Sequence, residues 1–264
     1  MCGLMLDITV AVFCEACRMA LPLRKTAAFG LPLIQKINVK NRIPQSLILC
    51  PTRELCLQIA GDLNDYSKYI TGLRVLPVYG GSSIDSQIRA LKQGVHIIVA
   101  TPGRLLDLME RKTVSLTTIQ NVVMDEADEM LDMGFVDDIE EIMRSLPVER
   151  QTLLFSATMP RPILSLTKKY MKAPKNVTIS KEELTVPLIE QYYFETKDKI
   201  EGLCRLLDAE IDGKLIIFCR TKKGVDDLSI ALSSRGYMAE GLHGDLSQNQ
   251  RDRVMKKFRE GAVD

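Results

Sequence analysis

The stretch Val122-Val123-Met124-Asp125-Glu126-Ala127-Asp128 decides the fold. Apolar residues run up to Met124, and acids then occupy positions 125, 126 and 128. A short apolar run bounded in this way predicts a strand, Asn121–Asp125, buried on both faces of a helix-covered parallel sheet. Open parallel sheets build their sites at the carboxyl ends of their strands. Carboxylates delivered there can hold Mg²⁺ against a nucleotide phosphate and prepare a water for attack. Asp125 would position the ion through its water shell, and Glu126 would orient or deprotonate the water. One acid after a strand is an ordinary solvated turn; three after a buried strand favour the chemical reading.

Outward from this stretch, short β-branched runs predict strands at Ser46–Cys50, Arg74–Tyr79, His96–Ala100 and Thr152–Ser156. Between them, Leu55–Tyr69 places Leu55, Ile59, Leu63 and Tyr66 at helical spacing. Strands alternating with helices mean βαβ units, an α/β fold and a mainly parallel sheet. Ile8–Phe13 is expected to be a first strand feeding a helix that starts near Thr26. Pro174, Pro187 and the polar run Ser180-Lys181-Glu182-Glu183 read as a linker. The pattern then restarts, with strands expected at Gln191–Glu195, Lys214–Cys219 and Ala239–His243. Helices are expected at Lys223–Ser234 and Gln248–Arg259. The chain therefore reads as two α/β units in tandem. The second holds fewer elements and is expected to be incomplete, with an unpaired sheet edge.

Composition narrows the function. The 264 residues, 46% hydrophobic and 26% charged, suit one or two ordinary globular domains with a sizeable core. The net charge of +1 excludes a bulk basic surface, so nucleic-acid contact must come from locally placed Lys and Arg. Trp is absent and aromatics are 5%, which argues against a base-stacking platform. Seven cysteines make an odd, scattered set with no disulfide spacing. Cys14 and Cys17 form a C-x-x-C with no second pair to complete a zinc site, so reduced thiols of a cytoplasmic protein are expected. Asp7 and Glu15 interrupt the apolar start, a poor signal peptide, and no run reaches the length of a membrane span.

Lys25-Thr26, followed by Ala27-Ala28-Phe29-Gly30, has the residue types that end a phosphate loop, although read alone the pair is worthless as a motif. There the Lys reaches the β/γ-phosphates and the Thr hydroxyl binds Mg²⁺. The glycines of such a loop let backbone N–H groups approach the phosphates. Their positions here hold Pro22, which has no N–H, and the bulky Arg24. Ser156-Ala157-Thr158 follows Leu153-Leu154-Phe155 and could hydrogen-bond the acid cluster, although alone it reads as a strand-end turn. Pro51-Thr52-Arg53-Glu54-Leu55, Tyr79-Gly80-Gly81 and Thr101-Pro102-Gly103-Arg104 also stand at strand ends. Backbone N–H, hydroxyl and guanidinium groups on one sheet edge bind a phosphodiester backbone without reading bases. Each alone is a turn with a surface arginine; three on one edge weaken that reading. In the second unit Phe218-Cys219-Arg220-Thr221 and His243-Gly244-Asp245 sit at expected strand ends. Gln248 and Arg251 lie one turn apart on a helix face. His243 is given no acid/base role.

Taken in order, these segments resemble the DEAD-box RNA helicases, a family of two-domain, RecA-like ATPases. The resemblance runs from Lys25 to Asp264 and rests on Pro51–Leu55, Thr101–Arg104, Asp125–Asp128, Ser156–Thr158, Ile216–Thr221 and His243-Gly244-Asp245-Leu246. The wording is similar to that of bacterial cold-shock or ribosome-assembly members. It implies two tandem RecA-like parallel-sheet domains. Residues 25–173 would form the first, 174–187 the linker and 188–264 a partial second domain, after an atypical N-terminus, 1–24. It implies ATP and Mg²⁺ as cofactors, RNA as sequence-independent partner, and ATP-driven local unwinding of RNA duplexes in the cytoplasm. It further implies that Lys25, Thr26, Asp125 and Glu126 serve nucleotide and Mg²⁺, and that Asp128, Ser156 and Thr158 couple that site to domain closure. Arg53, Gly80, Gly81, Thr101, Gly103, Arg104, Arg220, Thr221, Gln248 and Arg251 would touch the RNA backbone.

The chain departs from the family pattern at Leu21-Pro22-Leu23-Arg24, which replaces the glycine-bearing phosphate loop. Residues 1–23 do not resemble the adenine-reading element. The later motifs, including the arginine finger, would lie beyond Asp264. An altered reading frame or recombined 5′ end is the expected origin of the abrupt onset at Lys25. Turnover is therefore expected to be impaired. The alternatives are a non-catalytic RNA-binding fragment and a truncated product without function. A small-molecule ATPase or kinase would share the acids but would not need Thr101–Arg104 or the second unit.

Overall fold

The structure, a computed structural model, describes residues 9–13, 22–177, 192–209 and 213–263. Cys2, Cys14 and Cys17, the region of the adenine-reading element before Pro22 apart from 9–13, and the run Ser180–Glu183 with Pro187 lie outside the described residues. Two compact units emerge, one spanning Pro22–Val177 and the other combining residues 9–13 with the chain from 192 onward.

The first unit is built on five strands: β2 (Ser46–Leu49), β3 (Val75–Val78), β4 (Ile97–Ala100), β5 (Asn121–Met124) and β6 (Gln151–Leu154). Their order is β3-β4-β2-β5-β6, and every pairing is parallel. Ser46 is level with Ile97 and Asn121, and Leu49 with Ala100 and Met124. A parallel sheet with helices on both faces needs apolar residues on both faces of each strand, which is why β2, β4 and β5 are buried throughout. The side chains divide by parity. Leu47, Leu49, Ile98, Ala100, Val122 and Met124 enter one core, and Ile48, Ile97, Val99 and Val123 enter the other.

The second of these cores is closed by α1 (Pro22–Lys36) and α2 (Arg53–Tyr66), through Phe29, Leu33, Ile59 and Leu63. The first core packs against α3 (Ile84–Lys92), α4 (Pro102–Glu110), α5 (Ala127–Asp132), α6 (Val136–Arg144) and α7 (Arg161–Tyr170). Each fully buried Leu or Ile contributes about 2 kcal/mol by leaving water. Helix starts follow local chemistry. The Thr52 hydroxyl accepts from the Leu55 amide to open α2, and Pro102 at the first helical position opens α4.

The second unit carries β1 (Thr9–Phe13) paired antiparallel to β7 (Lys214–Phe218), with α8 (Lys199–Leu207), α9 (Lys222–Ser233) and α10 (Gln248–Glu260). Leu203, Cys204, Leu228 and Leu232 form its core. Three expectations are corrected here. The segment expected to be a first strand feeding the helix near Thr26 is a strand, but it pairs with β7 in the second unit, Thr9 with Phe218 and Phe13 with Lys214. Residues 192–195 form no strand; Tyr192, Tyr193 and Phe194 are exposed. Residues 239–243 form none either, and the Ala239 carbonyl accepts the hydroxyls of Ser229 and Ser233. Alternating apolar residues make a strand only where a neighbouring strand supplies a ladder.

Candidate functional site

The parallel register brings the carboxyl ends of all five strands of the first unit to one edge. The residues next in sequence include Cys50, Tyr79, Thr101, Asp125 and Phe155. The Asp125 amide donates to the Leu49 carbonyl at 2.9 Å, and the Ala127 amide to that of Phe155 at 3.0 Å. The acid turn is thus stitched to both neighbouring strands. Glu126 sits in the left-handed region, φ 53° and ψ 51°, and opens α5. A non-glycine residue pays strain there, a cost that persists where the surroundings fix it and that clusters at functional sites. The Glu126 amide donates to Asp125 Oδ1 at 3.0 Å.

Lys25 on α1 meets this turn. Its Nζ lies 3.0 Å from Asp125 Oδ1 and 3.3 Å from Glu126 Oε1. The side chain of Asp125 is only 1% exposed and that of Lys25 is 36% exposed. Burial therefore dominates at the acid, and it holds the Asp125 carboxyl above the ordinary range even beside Lys25. At the lysine, burial pulls down, but the charges of Asp125 and Glu126 outweigh it and raise the ammonium's pKa. Asp125 Oδ2 is buried with no hydrogen-bond partner. An orphaned carboxylate oxygen, beside a second acid and a lysine, suits a hydrated Mg²⁺ carrying phosphate. Thr26 is 2% exposed, and its hydroxyl hydrogen-bonds Asp62 of α2.

Asp128 ties the acid turn to the end of β6. The Thr158 amide and hydroxyl both donate to Asp128 Oδ2 at 2.9 Å. The Ser156 hydroxyl accepts from the Asp128 amide at 3.3 Å and donates to the Thr158 carbonyl at 2.6 Å. Burial pushes the Asp128 carboxyl up, yet these hydrogen bonds more than offset it and leave its pKa lowered.

The three nominated backbone-contact loops also converge. Arg53 holds its guanidinium 5.2 Å from the centre of the Tyr79 ring. Arg104 donates to the Ser82 carbonyl at 3.1 Å. Gly80 and Gly81 are exposed between those two residues, and Gly81 has φ +79°. Thr101 caps α4, and Gly103 is exposed in its first turn. In the second unit Arg220 is exposed after β7, and the Thr221 hydroxyl caps α9 by accepting from the Gly224 amide. Gln248 donates to Asp252, and Arg251 donates to the carbonyls of Gly244 and Leu246. Sequence reasoning did not single out Asp62 or Gln87. Gln87 left a signal, a polar residue inside the apolar stripe Ile84, Ile88 and Leu91 of α3.

A parallel α/β sheet with lysine and acids meeting at its strand ends defines a class: proteins of the helix-covered, RecA-like architecture. The family is more specific. The sequence model of the DEAD/DEAH box helicase matches residues 25–166, and that of the helicase conserved C-terminal domain matches residues 198–264. This chain belongs to the DEAD/DEAH box helicase family. It is 52% identical over 242 residues to the DEAD-box ATP-dependent RNA helicase CshA of Geobacillus kaustophilus, covering 91% of this chain and 52% of that protein. The ATP-dependent RNA helicase CshA of Listeria monocytogenes is also 52% identical, with 91% and 46% covered. The chain thus spans about half the length of the curated relatives it matches. Among solved structures, a variant of S. cerevisiae Dbp5 bound to RNA and ADP BeF3 superposes with a TM-score of 0.75. It is 31% identical, covering 90% of this chain and 61% of that one. A DEAD box protein from Methanococcus jannaschii gives a TM-score of 0.55 at 40% identity, covering 90% and 64%.

Proposed function

We propose that this chain acts as an ATP-dependent RNA helicase, coupling ATP hydrolysis to local unwinding of RNA duplexes in the cytoplasm. Residues 25–173 serve as its ATPase domain, 174–187 as linker and 188–264 as part of the second domain. The observation that carries this reading is the meeting of Lys25 with Asp125 and Glu126 at the carboxyl end of β5. In this reading Lys25 leaves the acids to take up nucleotide phosphate, and Glu126 accepts a proton from the attacking water. Asp125, through water, and the Thr26 hydroxyl, once it leaves Asp62, would hold Mg²⁺, which would supply charge neutralisation for the phosphates. Asp128, Ser156 and Thr158 carry the state of the acid turn to the end of β6. Arg53, Gly80, Gly81, Thr101, Gly103 and Arg104, joined by Arg220, Thr221, Gln248 and Arg251, hold the RNA backbone.

Turnover is slowed in this reading by Pro22, which opens α1 three residues before Lys25 and has no N–H for a phosphate. The same observation supports a second reading, RNA binding without turnover. Displacement of a strand from a short labelled RNA duplex tests the first. Displacement that requires ATP and is lost in Glu126→Gln supports it. Displacement that the variant retains overturns the role of Glu126, and RNA binding with no displacement leaves the second reading.

A further inference from the structure

We propose that Gln87 is a positioning residue for RNA binding, holding the Tyr79–Ser82 turn in the shape that presents Gly80 and Gly81 to a phosphodiester backbone. This rests on the RNA reading given above. Gln87 is 5% exposed and sits among the apolar residues with which α3 packs on the sheet. A buried amide costs stability unless its groups are paired. Its Nε2 donates to the Tyr79 carbonyl at 3.0 Å and to the Ser82 hydroxyl at 2.7 Å. Those residues bracket Gly80 and Gly81. The carbonyl of Tyr79 fixes the orientation, because a flipped amide would set Oε1 against another acceptor. Oε1 is left buried and without a partner. A core position that an apolar side chain would fill more cheaply therefore holds an amide whose bonded half serves the turn.

An open pocket of about 210 Å³, lined by Leu76, Pro77, Tyr79, Ser82, Ser86 and Gln87, lies beside this turn. Other restraints on the turn include a long hydrogen bond from the Ser82 hydroxyl to the Tyr79 carbonyl at 3.5 Å, Arg104 on the Ser82 carbonyl and Arg53 over the Tyr79 ring. Two arginines nominated for phosphate thus brace the turn as well, and the amide of Gln87 fixes it from the core side. Without that amide the turn samples more conformations, and RNA binding must order it again.

The test compares the full chain with Gln87→Met, which keeps length and apolar volume but removes the donor, and with Gln87→Ala. Gln120→Ala, exposed at the opposite end of the sheet, is the control. The probe is a fluorescent single-stranded oligouridylate at low salt. Both Gln87 variants should bind about tenfold more weakly, the loss expected for removing hydrogen bonds that order the turn. The RNA concentration for half-maximal ATPase should rise while turnover at saturating RNA stays at the wild-type level. Amide exchange across residues 79–82 should quicken without RNA. Wild-type binding by Gln87→Met overturns the proposal, as does an equal loss in the control. Quickened exchange in a chain that binds no RNA even as wild type overturns the RNA reading and leaves only a structural clamp.

Discussion

At the residue scale the account turns on charge burial. Asp125 has a folded-state pKa above its unfolded value, so its contribution to stability is present at low pH and lost as pH rises through the folded pKa. At neutral pH its charge is a cost, and Asp125→Asn should raise the melting temperature of the ligand-free chain while abolishing ATP turnover. Lys25→Ala should do the opposite to stability. It strands the buried carboxylate, and partial exposure of the lysine limits the loss to about 1–2 kcal/mol. Asp128 has the reverse sign. Its lowered pKa gives stability that is present above the unfolded value and lost as pH falls through the folded one. The gap between wild type and Asp128→Asn in urea melts should thus be present at pH 6 and shrink below about pH 4. The sequence made Asp125, Glu126 and Asp128 legible because an apolar run ended on them. It did not reveal the left-handed backbone of Glu126 or the hydrogen bond from Thr26 to Asp62, since both depend on how α1, α2 and β5 meet.

At the element scale the strands of the first sheet were readable to within about two residues, because β2, β4 and β5 are buried on both faces and leave uninterrupted Val, Ile and Leu runs. Ile8–Phe13 was readable as a strand but not as the partner of β7, some two hundred residues away in sequence. Residues 192–195 and 239–243 had strand-like side chains and no ladder. In the proposed reading, turnover depends on the start of α1. Pro22 and Arg24 occupy the places of the glycines whose backbone N–H groups would face phosphate. The double variant Pro22→Gly, Arg24→Gly should raise RNA-stimulated ATP turnover by about tenfold or more, as removal of a single transition-state donor elsewhere costs at least that. Unchanged turnover would place the limit outside this loop.

At the scale of the whole molecule, two units with separate cores predict separate resistance to proteolysis. Limited digestion should leave a core that begins near Pro22 and ends between Ala173 and Val177. Cleavage throughout that core would contradict the domain assignment. Binding of single-stranded RNA should weaken steeply with salt and be indifferent to sequence, since the nominated contacts are cationic, hydroxyl and backbone groups without a base-stacking platform. The central claim is that Asp125 and Glu126 form an ATPase site answering to RNA. It is tested most directly by ATP hydrolysis with and without single-stranded RNA, for the wild-type chain beside Glu126→Gln. The account predicts slow turnover that RNA stimulates and that the variant lacks. Turnover no higher than the variant's, or turnover that ignores RNA, would contradict it.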